Sequence, residues 1–250
     1  MIKLIIKKIT SKFFGNKQKP SSKDFESILK KYSKLKREVF FIQIGSNDGI
    51  ANDPIAEFIK YNNWKGIMIE PIKYLFEKLK ITHGDNNNLI LLNAAVSQND
   101  GVAIIYKVDE AYYNELPSWS NQLASFRKDI IESHESQIPG ISSKIVQEEV
   151  ATYCINTIVD MNKIDNVDFI HIDTEGYDYE VLKLIDFNRI SPEIILYECK
   201  HLNIDDFNSS IHLLSSANYN CYSDNYDTLC IRKDVVKKIN FNKNLIIENQ

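Results

Sequence analysis

From Glu38 onward the chain alternates short apolar runs with amphipathic stretches. The runs VFFIQIG, KGIMIEP, LILLNAAV, VDFIHID and EIILYEC each read as a strand, and the first four are nearly continuous in apolar residues. A strand wetted on one face alternates apolar and polar side chains, whereas a strand covered on both faces does not, so these runs predict a buried parallel sheet. Helices are expected over residues 53–62, 72–82, 178–186 and 205–217, supplying the crossovers that parallel strands require. YNCYSDNYDTLCIR places two apolar runs around a polar tip and predicts a terminal antiparallel hairpin. Between the third strand and VDFIHID lie about 70 residues that this scheme does not need. They include GVAIIYKV and VATYCINTIV, both expected as extra strands, and a polar stretch from Tyr112 to Gln147. The insertion is placed near residues 101–150, where so long a segment predicts a lid or substrate platform, with disorder as the competing reading.

A chain of 250 residues with 44% apolar content has material for one large core, and this changes the picture only at the N-terminus. Residues 1–37 carry twelve Lys/Arg against two acids, a net +10, which leaves −14 for the remainder of a chain whose formal charge is −4. We read residues 1–37 as a basic tail and lead-in helix, and residues 38–250 as the folded domain. Ile2, Ile5, Ile6, Ile9 and Phe13 share one helical face with lysines opposite, a pattern that suits an anionic membrane surface. The plainer alternative is a solvated helix that packs on the domain or frays. The acidic body repels phosphate, so nucleic acid is not an expected partner. No run reaches the roughly 18–20 apolar residues of a membrane span, and MIKLIIKKIT is too short and lysine-broken for a secretory signal. A cytoplasmic location is therefore expected, with peripheral contact at a membrane surface through the tail.

Cys154, Cys199, Cys221 and Cys230 lack CxxC spacing, and reduced thiols are expected. Cys221 and Cys230 stand symmetrically about the hairpin turn. Opposed strand residues have Cβ atoms about 4.5–5.5 Å apart, beyond the roughly 3.8 Å usual in a disulfide, so this pair too is expected as free thiols.

Chemistry concentrates where strands end. FFIQIGSNDG stops an apolar strand at Gly45, Ser46, Asn47, Asp48 and Gly49, at the carboxyl edge where open parallel sheets bind ligands. The glycines permit a tight turn and close approach of a ligand, and Asp48 is a candidate to hold a cation or an ammonium. The turn is not GxGxxG, because Asn47 occupies the middle position. The second strand ends in Glu70 and Pro71, and Glu70 lies 21 residues beyond Gly49. An acid at that separation accepts hydrogen bonds from ribose hydroxyls. Nicotinamide and adenosyl cofactors both use the arrangement.

IGSNDG, MIEP and HIDTEGYD, followed by a Pro-Glu-Ile strand ending in YECKH, together resemble the FkbM family of S-adenosylmethionine-dependent methyltransferases, from about Phe40 to Arg232. The resemblance implies a class I methyltransferase (Rossmann-like) α/β fold with a mostly parallel seven-stranded sheet. It also implies S-adenosylmethionine as cofactor, held by Gln43, Gly45, Ser46, Asn47, Asp48, Gly49, Glu70, Pro71, Asn93 and Ala94. Two positions depart from the family pattern: Gln43 stands where many methyltransferases have an acid, and His171 where the family often has lysine.

Methyl transfer to a hydroxyl requires alignment and removal of a proton. Asp173, Glu175 and Asp178 cluster past the fourth strand, with Glu198 and His201 past the fifth. The candidates for proton removal are Asp173, Glu198 and His201. Alternatively Asp173 and Glu175 hold a divalent cation such as magnesium that lowers the hydroxyl pKa. Against both, Asp173 and Thr174 read as caps of the next helix. His171 shares a strand face with Asp173, so an imidazole oriented by that carboxylate competes with an ordinary core histidine. The expected activity is O-methylation of a hydroxyl, and the resemblance implies a sugar in a surface glycan or a secondary metabolite as the acceptor. The alternatives are a nicotinamide-dependent oxidoreductase, which lacks its third glycine here, and a basic-tailed adaptor without catalysis.

Overall fold

The apolar runs form strands that pair side by side. The structure, a computed structural model, describes residues 20–239; the amphipathic face from Ile2 to Phe13 lies outside the described residues. In chain order the main elements are α1 (Ser22–Leu35), β1 (Phe40–Ile44), α2 (Ala56–Asn62), β2 (Lys65–Ile69), α3 (Lys73–His83) and β3 (Leu89–Leu92). A short β4 (Ala95–Val96), β5 (Gly101–Val108), β6 (Ala124–Ser125), α4 (Lys128–Glu132), β7 (Ile145–Tyr153) and α5 (Ile155–Met161) follow. The chain closes with β8 (Phe169–Ile172), α6 (Asp178–Lys183), β9 (Ile194–Glu198), α7 (Ile204–Ser216), β10 (Tyr219–Ser223), β11 (Asp227–Arg232) and α8 (Lys233–Ile239).

The main sheet has seven strands in the order β10-β11-β9-β8-β1-β2-β3. β3, β2, β1, β8 and β9 run parallel, and only β11 is antiparallel to its neighbours, inserted between β9 and β10. This is the class I methyltransferase sheet, hairpin included. Successive residues of a strand point to opposite faces. Ile42, Ile67, Ile170 and Ile172 accordingly join one core with Ile158 of α5, Val181 of α6 and Leu214 of α7. Phe41, Met68 and Phe169 join the other with Leu29 of α1, Phe58 of α2 and Val235 of α8.

Four expectations need correction. The core reaches upstream of Glu38, because Phe25, Ile28, Leu29 and Tyr32 of α1 are buried in it. LILLNAAV is not one buried strand: β3 is a half-exposed edge, and Ala95 and Val96 turn off to pair with β7 in a second sheet, ordered β4-β7-β5-β6. The second half of VATYCINTIV is α5, a helix whose start is fixed by Asp100, which accepts hydrogen bonds from the Cys154 N–H at 2.7 Å and the Thr157 hydroxyl at 2.8 Å. Finally, Cys221 and Cys230 form a disulfide, and Cys154 and Cys199 are the free cysteines. The pair is directly opposed with Cα atoms 4.1 Å apart, at the narrow end of cross-strand spacing, where the thiols reach each other. The thiol argument for a reducing compartment fails with it. No helix among the described residues is long and apolar enough to cross a membrane.

Candidate active site

The β1 turn is shaped by its neighbours. Gly45 has φ +81°, and a Cβ there would sit 1.7 Å from the Asp173 carbonyl oxygen at the end of β8. Only glycine fits, for space and for backbone conformation together. Gly49, at φ +75°, abuts Leu79 and His83 of α3. Ser46 ties the turn to β2: its N–H donates to the Ile69 carbonyl at 2.9 Å, and its hydroxyl accepts from the Ile69 N–H at 3.0 Å. Glu70 is 4% exposed and accepts from the Asn47 and Ile72 N–H groups, each at 2.8 Å. Burial pushes its carboxyl up to about 7.

These residues open onto a cavity of about 350 Å³ at the carboxyl ends of β1, β2, β8 and β9, within the 300–1,000 Å³ range of small-molecule sites. Gln43, Gly45, Ser46, Asn47, Glu70, Pro71 and Ala94 line it, as do Asp173, Glu175 and Glu198. Other expected residues act from behind. Asp48 accepts from the Ile50 and Ala51 N–H groups and so folds the turn. The Gly49 carbonyl meets His83 Nε2 at 3.1 Å. Asn93 donates to the carbonyls of Glu70 and Pro71, holding the end of β2.

His171 pairs with Gln43 rather than Asp173: the Gln43 amide lies 3.1 Å from His171 Nδ1, across the register of β1 and β8. Burial holds the imidazole down at about 4, so it is neutral at pH 7. Gln43 Oε1 and one oxygen of Asp53 are buried without an aligned hydrogen bond. Both residues line the cavity, and buried acceptors there suit a donor-rich cation such as the ammonium of an aminoacyl group.

The opposite wall is acidic. Asp178 is fully buried and accepts from the Thr174 and Gly176 N–H groups, both at 3.0 Å, so it shapes the loop while Asp173 is left facing the cavity. Burial, reinforced by Glu175 and Asp178, raises the Asp173 carboxyl well above the usual range. Burial and then Asp173 do the same to Glu198. Lys200, also at the cavity, opposes both shifts. His201 Nε2 stands 3.1 Å from Glu175 Oε2 and 3.9 Å from Glu198 Oε2.

The insertion roofs this cavity with Trp119, Gln122, Ser125, Phe126, His134 and Gln137. Ser125 donates to the Glu175 carbonyl at 2.7 Å, fastening the roof to the acidic loop.

Residues 43–221, a span that holds every residue lining the cavity, match the Methyltransferase FkbM domain. The chain belongs to the FkbM methyltransferase family. The match favours the adenosyl cofactor over nicotinamide and an enzyme over an adaptor. Among solved structures, this FkbM methyltransferase is similar to methyltransferase FkbM from Methylobacillus flagellatus KT, at 16% identity and TM-score 0.49, over 78% of this chain and 44% of that one. It thus spans less than half the length of that relative. It is also similar to precorrin-6y C5,15-methyltransferase from Geobacter metallireducens GS-15, at 10% identity and TM-score 0.42, over 84% of this chain and 88% of that one. The N-terminal domain of human METTL16 matches at 8% identity and TM-score 0.44, over 86% of this chain and 71% of that one. No curated protein matches the chain.

S-adenosylmethionine, which membership of the FkbM family implies, fits the residues present. The Gly45 turn, the orphaned Gln43 and Asp53 acceptors and Glu70 are the groups to hold it. Asp53 and the roof residues were not among the sequence candidates. Asp53 follows the glycine turn by only four residues, in the first polar segment that returns to the strand end, and that proximity was its one available signal.

Proposed function

We propose that this methyltransferase acts on a hydroxyl oxygen, with a sugar of a surface glycan or a secondary metabolite as acceptor. The observation that carries the reading is the Asp173 carboxylate, which faces the cavity and is made more basic by burial. S-adenosylmethionine, when bound, supplies a methyl group on a sulfonium sulfur. Asp173 takes the acceptor's hydroxyl proton as the new oxygen–carbon bond forms and the sulfur–carbon bond breaks. The polar roof of Gln122, Ser125 and Gln137, with Trp119 beside it, suits a polyhydroxylated acceptor and shields the transfer from water. Asp173→Asn is expected to retain S-adenosylmethionine affinity in calorimetry while lowering formation of S-adenosylhomocysteine on carbohydrate acceptors at least about a hundredfold. Equal loss of binding and turnover would assign Asp173 to the fold instead.

The basic tail extends the reading to a substrate at an anionic membrane surface. Lysines supply attraction and Ile2, Ile5, Ile6 and Ile9 the apolar face. A place at the cytoplasmic face rests on this tail alone. Deleting residues 1–19 is expected to weaken sedimentation with anionic vesicles at low salt without changing cofactor binding; equal sedimentation of both forms would refute the contact.

A further inference from the structure

Glu175, Glu198 and His201 converge from two loops on one point of the acidic wall. One oxygen of each carboxylate and His201 Nε2 all lie within 4.8 Å of one another. The side chains are 20%, 13% and 10% exposed, so the imidazole is nine-tenths buried. Each of the three facing atoms is shielded from solvent, and none makes an aligned hydrogen bond. The 3.1 Å approach of His201 to Glu175 is therefore close contact without the direction of a hydrogen bond. Two carboxylate oxygens and a ring nitrogen with nothing aligned between them are an unsatisfied set, and buried sets of this kind are normally satisfied.

We infer that Glu175, Glu198 and His201 bind a first-row divalent transition-metal ion of the manganese-to-zinc series. Metal–ligand bonds of about 2.0–2.2 Å meeting at roughly 90–110° place neighbouring donor atoms about 3.0–3.5 Å apart. The 3.1 Å separation already meets this, while the 3.9 Å separation and the carboxylate–carboxylate separation, which lies within 4.8 Å, require the two glutamates to draw in around the ion. A nitrogen donor beside two oxygens favours these ions over magnesium and calcium, which take oxygen donors. The set replaces Asp173 and Glu175 as the expected ligand pair, since Asp173 contributes no atom to the convergent group.

The ligands are held in place. Asp178 fixes the Thr174 and Gly176 amides on either side of Glu175, and Ser125 fixes its carbonyl. A Cβ on Gly176 would lie 3.3 Å from His201 Cβ, so glycine lets the histidine pack on that loop. The His134 ring covers His201 at 5.5 Å between centroids. Three protein ligands leave further coordination positions, and Glu175 and Glu198 line the cavity, so those positions open toward the acceptor. There the ion lowers the pKa of an acceptor hydroxyl, a role that rests on the methyl-transfer reading although ion binding does not.

The test uses the full chain, treated with chelator and then titrated with Mn²⁺ alone, without cofactor or acceptor. Free Mn²⁺ is read by electron paramagnetic resonance and thermal stability is followed in parallel. One Mn²⁺ per chain and a rise in Tm are expected. Glu198→Gln and His201→Gln should each weaken binding at least tenfold, and Glu180→Gln, a carboxylate on α6 outside the cavity, should not. Circular dichroism and retained S-adenosylmethionine binding verify that the variants fold, and Glu175→Gln serves in place of either that does not. No stoichiometric Mn²⁺ in the parent chain, or equal affinity in all folded variants, overturns the site whatever the enzyme's acceptor proves to be.

Discussion

Glu70 carries two tasks on one carboxylate. It draws the glycine turn onto β2 through the Asn47 amide, fixes the entry to α3 through the Ile72 amide, and still faces the cavity, where the cofactor's ribose is expected. Glu70→Gln keeps the shape but turns an amide NH₂ toward one of those two donors. Leaving a buried donor unpaired costs about 1–3 kcal/mol. S-adenosylmethionine binding by calorimetry and the denaturation midpoint should therefore both fall; an unchanged cofactor affinity would remove Glu70 from the ribose site. Gly45 and Glu70 were legible because each sits where an apolar run stops, and strand ends are fixed by pattern. Asp178 was grouped with Asp173 and Glu175 by sequence proximity, yet it points at loop amides, a direction that spacing does not encode. Trp119, His134 and Gln137 lie in a polar stretch without period, so nothing in their order announced that they roof the cavity.

Among the elements, the strands buried on both faces were readable and the short elements near edges were not. α5 holds Ile155, Thr157, Ile158 and Val159, β-branched residues typical of strands, and is helical because it packs on the sheet and is capped by Asp100. The hairpin itself was legible from its polar tip, but the width of its cysteine pair depends on which ladder position the pair occupies. The Cys221–Cys230 bridge spans a sequence separation of nine. Chain-entropy reasoning gives a loop of that size about 2–3 kcal/mol. The double variant Cys221→Ser/Cys230→Ser, or full reduction, is expected to lower Tm by about 4–12 °C, at roughly 2–4 °C per kcal/mol for a chain this long. Alkylation of the unfolded, unreduced chain should label two cysteines; four labels would show the bridge absent.

For the molecule as a whole, the buried acids set the response to pH. Glu70 is raised to about 7 and Asp227 to about 6, both mainly by burial. As pH rises past the ordinary carboxyl range, the unfolded chain ionises first and gains relative to the fold, so these groups favour folding at low pH and lose that contribution as pH passes their raised values. His171, lowered to about 4, works the other way below about 6.5. With cofactor and metal removed, Tm at pH 6.5 should exceed Tm at pH 8 by at least about 2–4 °C, the equivalent of roughly 1 kcal/mol. A flat or rising profile over that interval would contradict the burial of Glu70 as an uncompensated acid. The sheet order also governs how the chain is made. β11 enters between β9 and β10, and α8 shares a core with α1. During synthesis at about 5–20 residues per second, Phe25 and Leu29 emerge roughly 10–40 s before Val235 and Ile239. For that interval α1 can already pack on Phe41, Phe58 and Trp64 while its α8 neighbour is still untranslated, so this core closes in two stages, the second only when the C-terminal helix leaves the ribosome.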